Sequence, residues 1–214
     1  MRLTFKVLGV LATAGPFVLG CSDSTGLGKP APISVTLQQA SSAGAPSLQI
    51  RSPEGASAVV TLADVDSLNA RVTRVEALPV VNEGDSATDG AWQSVEVVGS
   101  GLINLIKLPT VGGIVVATDS IPSGDYGNLR FFMEDMTIWF NKQIPVGQIL
   151  FMPNTPYTVT MPSGAQSGLK TKATFTIPDG GGQVSIVFDG TATLANLIVG
   201  GTGAVIAAPV LRQK

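Results

Sequence analysis

Much of the chain alternates between apolar and polar residues with a period of two, which is the pattern of half-buried β-strands. The clearest runs cover residues 33–37, 70–78, 93–97, 157–161, 172–177 and 183–188. These runs are rich in Val and Thr, which favour strands, and segments rich in Gly, Pro, Asn and Asp separate them. No stretch keeps a helical period for three turns. The pattern therefore predicts one all-β domain, built as a sandwich or a barrel.

The run from residue 129 to 140 differs because apolar residues occupy both alternating sets. Strict alternation places Phe132, Met136, Ile138 and Phe140 on one face and Phe131, Met133 and Trp139 on the other. A strand that is apolar on both faces is typical of the middle of a sheet, so this run is predicted to be the core strand. Tyr126 follows a Pro-Ser-Gly-Asp turn and is predicted to pack beneath it as a corner tyrosine.

The first twenty residues carry a different pattern. Arg2 and Lys6 precede an apolar run that is too short to cross a bilayer, which is typical of a secretory signal peptide. The run ends in Val-Leu-Gly before Cys21, an order that resembles a bacterial lipobox. The resemblance implies cleavage before Cys21 and acylation of that cysteine with palmitate-like chains. An ordinary signal peptide with an incidental cysteine, or an uncleaved anchor, is the alternative.

Cys21 is the one cysteine of the chain, so it cannot form a disulfide within it. Two or three acyl chains stabilise membrane attachment by about 0.8 kcal/mol for each buried CH₂ group. We therefore predict a signal peptide over residues 1–20, a lipidated Cys21 with a flexible tether over 21–32, and the β-domain over 33–214. The expected location is the cell envelope, and the outer membrane if the source has two membranes.

The composition excludes several classes of function. The chain has no histidine, so neither a Ser-His-Asp triad nor a Cys/His zinc site can be built. Charged residues make up 13% and the net charge is −2, which offers no basic footprint for nucleic acid. We predict no cofactor, no metal and no catalysis. Two weaker signals remain. The Ser-x-x-Lys spacing at Ser167 and Lys170 resembles a nucleophile–base pair, but it falls on a predicted strand. The oxygen-rich segment 82–90 and the pair Asp64 and Asp66 offer the ligand type of a cation site, with a solvated loop as the alternative for 82–90.

The last third of the chain carries a recognisable order of segments, in which the run from Ser163 to Lys170 is the most specific. Over about residues 33–213 the chain resembles the bacterial lipoprotein family catalogued as domain of unknown function 4382. The resemblance implies a single antiparallel β-sandwich of the immunoglobulin-like or transthyretin-like type. The family has no established activity, and carbohydrate binding is one role that the resemblance implies. Ala208 and Val187 stand where relatives tend to have Lys and Asp, so sites that use those charges are not expected here.

The candidate ligand-binding residues are polar groups in one loop together with two aromatic platforms. They are Gln166, Ser167 and Lys170 in the loop, with Trp92 and Tyr157 as the aromatic residues. Amide, hydroxyl and ammonium groups bind hydroxylated or anionic ligands, and flat rings stack on sugars. A hairpin whose side chains cap their own backbone is the alternative interpretation of the loop.

These features lead to two hypotheses for the function. The first is a non-catalytic binding module of the envelope that recognises a glycan or an envelope polymer. The alternative is a structural scaffold that binds an envelope protein through a sheet face or an edge strand and has no small ligand. In both, the membrane is a partner through Cys21 and nucleic acid is not.

Overall fold

The computed structural model describes residues 27–41, 48–52, 55, 57–80, 92–162 and 166–214. Over these residues the chain is mostly β-strand, as predicted, with one short α-helix and two single 3₁₀ turns at Leu62–Asp64 and Leu105–Lys107. The strands are β1 (Pro30–Gln39), β2 (Leu48–Arg51), β3 (Ser57–Val60), β4 (Val65–Pro79), β5 (Gln93–Val95), β6 (Leu102–Asn104), β7 (Ile114–Pro122), β8 (Gly124–Phe140), β9 (Ile144–Val146), β10 (Ile149–Phe151), β11 (Tyr157–Thr160), β12 (Leu169–Ile177), β13 (Gly182–Phe188), β14 (Ile198–Val199), β15 (Val205–Ile206) and β16 (Leu211–Gln213). The helix is α1 (Gly190–Ala195). Cys21 and the signal peptide lie outside the described residues, as does the segment 82–90. Within the described ranges no helix is long and apolar enough to cross a membrane.

The strands form two main sheets and one separate hairpin. The small sheet has the order β16-β13-β1-β7, and β9 pairs with β10 in the hairpin. The large sheet has the order β3-β2-β14-β15-β11-β8-β4-β5, with β12 also paired to β8 and β6 to β4. The pairing is mixed, not wholly antiparallel as expected, because β1 with β13, β11 with β15 and β14 with β2 run parallel. Each of these parallel pairs joins strands that are distant in the chain, since a parallel neighbour cannot follow through a tight turn.

One hydrophobic core joins the two sheets. Its members include Val35 and Leu37 of β1 and Leu129, Phe131 and Met133 of β8, all with no exposed surface. β4 and β8 pair over most of their length and provide the longest continuous ladder of the large sheet. β8 is therefore the core strand that the sequence indicated.

The faces of β8 do not follow the strict alternation expected from its sequence. Asp135 has a φ of 50°, and the pairing register with β4 shifts beside it. This bulge changes the phase, so Phe131 and Met133 before it share the core with Met136 after it. Ile138 and Phe140 follow Met136 into the same core. The sequence-based grouping of Phe132 with Met136, Ile138 and Phe140 is therefore wrong: Phe132 lies outside this core and packs on the outer face of the sheet.

The two sheets are connected at both lateral edges. After β5, which pairs with β4, the chain crosses to β7 and forms backbone hydrogen bonds with it. Thr118 N donates to Glu96 O at 2.8 Å, and Val98 N donates to Val116 O at 2.9 Å. At the opposite edge, the Gln213 side chain in β16 accepts from Thr174 N at 2.9 Å and donates to Thr174 O at 2.8 Å. These contacts occupy backbone groups that an open edge would offer to another chain.

The first strand of the domain begins before the predicted boundary at residue 33. Pro30 and Pro32 belong to β1 and pair with β7, and Gly28 N donates to Ser123 O at 2.7 Å. β13 joins the other side of β1 only from Ile33 onward, so the prolines need no N–H group on that side. The segment 28–32, expected to be part of a flexible tether, is therefore held by the small sheet.

Tyr126 is a corner tyrosine, as predicted. Its side chain has no exposed surface, its hydroxyl donates to Pro122 O at 2.7 Å, and its ring stacks on Phe175 with centroids 5.2 Å apart. Burial raises the pKa of the Tyr126 phenol to about 12. The phenol thus ties the turn before β8 to the core.

We expect the Asp135 bulge to tolerate only residues that accept a positive φ. Asp135→Val should lower the free energy of unfolding by about 1–2 kcal/mol, the usual cost of the left-handed conformation. Asp135→Asn should change it little, because Asn tolerates this conformation and the ion pair with Arg71 is exposed. Urea unfolding of the two variants provides the measurement, and equal losses in both would contradict the assignment.

Stability should fall at alkaline pH as Tyr126 ionises. The folded-state pKa lies above the unfolded value near 10, so the contribution is complete below pH 10 and is lost between pH 10 and 12. Tyr126→Phe should start less stable by about 1 kcal/mol, because the bond to Pro122 is missing, but should decline less steeply over this range. Urea unfolding from pH 8 to pH 11.5 tests this. Both proteins contain the same lysines and Tyr157, so the ionisation of those groups affects both equally. Parallel curves would therefore show that Tyr126 does not contribute to the loss of stability.

Candidate functional site on the large sheet

Charged side chains form rows across β4, β8 and β12. Arg130 is the register partner of both Glu76 and Lys170, so these three side chains lie side by side on one face. Asn128 pairs with Lys172 in the next row, and Arg74 pairs with Phe132 in the row on the other side. Because residues two apart in a strand share a face, all three rows point outward, opposite the core. We call Arg74, Arg130, Lys170 and Lys172 the basic face.

Two aromatic rings hold the guanidinium groups of this face. The Arg130 Cζ lies 4.1 Å from the centroid of the Trp92 ring and 5.2 Å from that of Phe132. The Arg74 Cζ lies 3.7 Å from the Phe132 centroid, and the Lys170 Nζ lies 5.9 Å from the Trp92 centroid. These are cation–π distances. The order Trp92, Arg130, Phe132, Arg74 is a continuous stack, and it explains why Phe132 is only 3% exposed outside the core.

Glu76 is the counter-charge at the centre of the stack. It is 8% exposed, and its two carboxylate oxygens pair with Arg74 Nε at 3.1 Å and with Arg130 Nε. A carboxylate buried to this degree requires charged partners, since an unpaired one is costly to desolvate. Glu76 and the two rings therefore fix both guanidinium groups in place.

The positive charge of the face exceeds the negative charge beside it. Within the part of the chain that the structure describes, neither Lys170 nor Lys172 forms an ion pair, and Glu134 is an exposed carboxylate beside Arg74 at one end. Thr73, Arg74, Phe132 and Glu134 line a cleft of about 250 Å³ at that end. The whole chain carries 13 Lys and Arg against 15 Asp and Glu, so four of its cations on one face are a local concentration. Such a face attracts anions.

The structure places two of the five predicted ligand residues on this face and two more in the turn beside it. Trp92 and Lys170 are in contact through the cation–π pair. Gln166 and Ser167 are exposed in the turn immediately before β12, and Gly168 places this turn against Phe132. Gly168 has a φ of 69°, a left-handed conformation that favours glycine, and a Cβ there would be in van der Waals contact with the Phe132 ring at 3.4 Å.

Tyr157 lies elsewhere. It pairs with Ile138 of β8, whereas Lys170 pairs with Arg130, and eight residues of strand correspond to about 26 Å. Its hydroxyl accepts from Met152 N at 2.6 Å, and its ring is 4.8 Å from that of Phe151 in an edge-on contact. Tyr157 therefore packs against the β9-β10 hairpin and does not belong to this site.

Sequence reasoning missed Arg74, Glu76, Arg130, Phe132 and Lys172. The spacings were readable, because Arg74 and Glu76 are two residues apart, as are Lys170 and Lys172. The cross-strand register that places these pairs together depends on β-pairings between distant segments. No local pattern gives that register.

The acidic residues weighed as a cation site have other partners. Asp64 accepts from Thr61 N at 2.9 Å and pairs with Lys142 at 2.7 Å, while Asp66 pairs with Lys107 at 3.5 Å. Burial alone would raise the pKa of Asp64, but the hydrogen bonds from Lys142 and Thr61 outweigh it and lower the pKa below the ordinary 3.8. Among the described residues, no group of three or more metal-ligating side chains converges.

A second, larger groove of about 560 Å³ lies where β1, β7 and the turn before β13 meet. Its charged groups are Glu96 and Asp119, and the Asp119 carboxylate already accepts from Glu96 N at 3.2 Å and Ser120 N at 2.7 Å. The groove is open to solvent, and its Asp119 carboxylate is already hydrogen-bonded to neighbouring backbone N–H groups. The basic face is therefore the better candidate for a site.

The fold and this face define an all-β domain with one cationic, aromatic surface. The chain belongs to the family described as Domain of unknown function (DUF4382), whose profile matches residues 58–203, more than half of the chain. The matched range contains every residue of the basic face. No curated protein and no solved structure matches the chain.

Removing the charge of Glu76 should destabilise the domain. Glu76→Gln leaves the Arg130 side chain, which is 14% exposed, without its anionic partner, and we expect a loss of about 1–3 kcal/mol. Asp66→Asn is the matched control, because it removes an exposed partner of Lys107 and should change stability by less than about 0.5 kcal/mol. Urea unfolding compares the two, and similar small effects would show that Glu76 does not organise the face.

Proposed function

We propose that this protein is a lipid-anchored, non-catalytic binding module of the cell envelope, which recognises a glycan or envelope polymer on its basic face. The observation that supports this is the convergence of Trp92, Arg130 and Lys170 on one outward sheet face. An indole ring offers an apolar surface for a sugar ring, and the cations beside it donate hydrogen bonds to hydroxyl or acidic groups.

The architecture suits such a role. We propose that the two sheets are the layers of an immunoglobulin-like or transthyretin-like sandwich, with the core between them and the basic face outside. Side chains on paired strands are held more rigidly than side chains on loops, so a face of this kind loses little conformational freedom when it binds. The turn with Gln166 and Ser167 borders the face and adds polar groups at its edge.

The anchor and the absence of catalysis are part of the same proposal. Cys21 carries the acyl chains, and the segment between it and the first contacts of residue 28 holds the domain near the membrane surface. Ser167 lies in the turn before β12 and Lys170 lies in that strand, whereas a Ser-x-x-Lys nucleophile is normally activated at a helix N-terminus. A binding role fits these two residues better than chemistry does.

Binding should depend on Trp92 and Lys170. In a panel of glycans and envelope polymers titrated by isothermal titration calorimetry, Trp92→Ala and Lys170→Gln should each weaken binding about tenfold, or about 1.4 kcal/mol. A parallel fluorescence titration of Trp139→Phe, in which Trp92 is the single tryptophan, should report binding next to that ring. Lys107→Gln is the matched charge control, since Lys107 pairs with Asp66 away from the face.

Three outcomes are informative. A bound polymer whose affinity falls with the Trp92 and Lys170 variants but not with Lys107→Gln supports the proposal. A bound polymer that is insensitive to all of them places its site elsewhere. Binding to no polymer, with crosslinking from residue 170 to one envelope protein, would replace the proposal with the protein–protein scaffold.

A further inference from the structure

We infer that the ligand of the basic face is an acidic polysaccharide, bound through carboxylates repeated along its chain. This inference rests on the proposed function and specifies its ligand. The face carries more donors than its own acids can satisfy. Each guanidinium has five N–H donors, and the single Glu76 carboxylate, which accepts from both Nε atoms, has about four acceptor positions.

Lys170 and Lys172 provide two of the four positive charges of the basic face. They are exposed, they lie two residues apart in β12, and within the described ranges neither has an ion-pair partner. This spacing is about 7 Å along the strand, and Arg130 lies about 5 Å to the side of Lys170 on β8. Cations placed in this way along and across strands match a chain with repeated acids better than a single small anion.

The Arg130 side chain is preorganised for binding an anion. Glu76 and the rings of Trp92 and Phe132 hold Arg130, so little side-chain freedom is lost when it binds a carboxylate. Trp92 makes contact with both Arg130 and Lys170, which places an apolar ring beside the two cations. That combination suits an acidic sugar, which has an apolar ring face and a carboxylate on one residue.

The overall charge limits the alternatives. The chain has a net charge of −2, so a highly charged polyanion meets repulsion from the rest of the surface, including Glu134 at the end of the face. A polysaccharide with one carboxylate per sugar has a lower charge density and gains from contact with Trp92. The face therefore favours a carboxylated glycan over a polyphosphate.

The test compares pairs of polymers that share a backbone, one member acidic and the other uncharged. The protein is titrated with polygalacturonate and with its fully methyl-esterified form, and with carboxymethyl cellulose and hydroxyethyl cellulose. At low salt we expect about tenfold tighter binding to the acidic member of at least one pair. The preference should shrink as salt rises, because the Debye length falls from about 10 Å at 0.1 M to about 3 Å at 1 M.

A double variant tests whether the basic face carries this preference. Lys170→Gln with Lys172→Gln should abolish most of it, whereas Lys107→Gln with Lys142→Gln, which changes the net charge equally at two exposed lysines away from the face, should preserve it. Circular dichroism and urea unfolding check that both double variants are folded. Equal losses in the two double variants would mean that net charge, and not this face, sets the preference.

The remaining outcomes separate the inference from the proposed function. Equal binding to both members of each pair overturns the inference but leaves glycan binding intact. Binding to neither member, and to no other polymer of the panel, overturns both. Tighter binding to polyphosphate than to any carboxylated glycan, with no effect of Trp92→Ala, would show that the face responds to charge alone.

Discussion

The antiparallel pairing of β4 with β8 is the interaction on which the rest of the structure depends. Its inward residues supply the middle of the core, and its outward residues supply both arginines and the Phe132 ring of the stack, which Trp92 completes from just before β5. Because side chains alternate across a strand, the same register that fills the core also aligns Glu76 with Arg130. A slip of one residue would turn Arg130 toward the core and Leu129 toward solvent, so the burial of one face fixes the geometry of the other.

The bulge at Asp135 changes which alternate residues of β8 face the core before and after it. A continuous alternation would keep Phe132 in phase with Met136, Ile138 and Phe140, and the core would then have to contain Phe132. The positive φ at Asp135 absorbs the change of phase, so Phe132 remains outside and separates the two guanidinium groups. This large apolar ring is buried by charged side chains, and it serves as packing for the arginines.

The class of fold, the turn-capping role of Tyr126 and the family could all be predicted from the sequence, because each of these depends on local patterns. Sequence reasoning reached Trp92 and Lys170 as candidate ligand residues from side-chain chemistry alone. It missed Arg130 and Glu76, because their importance comes from pairing between strands more than fifty residues apart, and it misplaced Tyr157 for the same reason. The phase of β8 was missed because a single acidic residue with a positive φ leaves no periodic signal.

The charge arrangement also shows why the site is coupled to the stability of the domain. Two guanidinium groups packed against the Phe132 ring would repel each other without Glu76, and Glu76 could not remain 8% exposed without them. The three groups therefore stabilise the folded state only together. Lys170 and Lys172 lie outside this arrangement, since neither takes part in an ion pair of the described residues. The two arginines that stabilise the fold and the two lysines without an ion pair are thus distinct groups on one surface, joined where Arg130 is the register partner of Lys170.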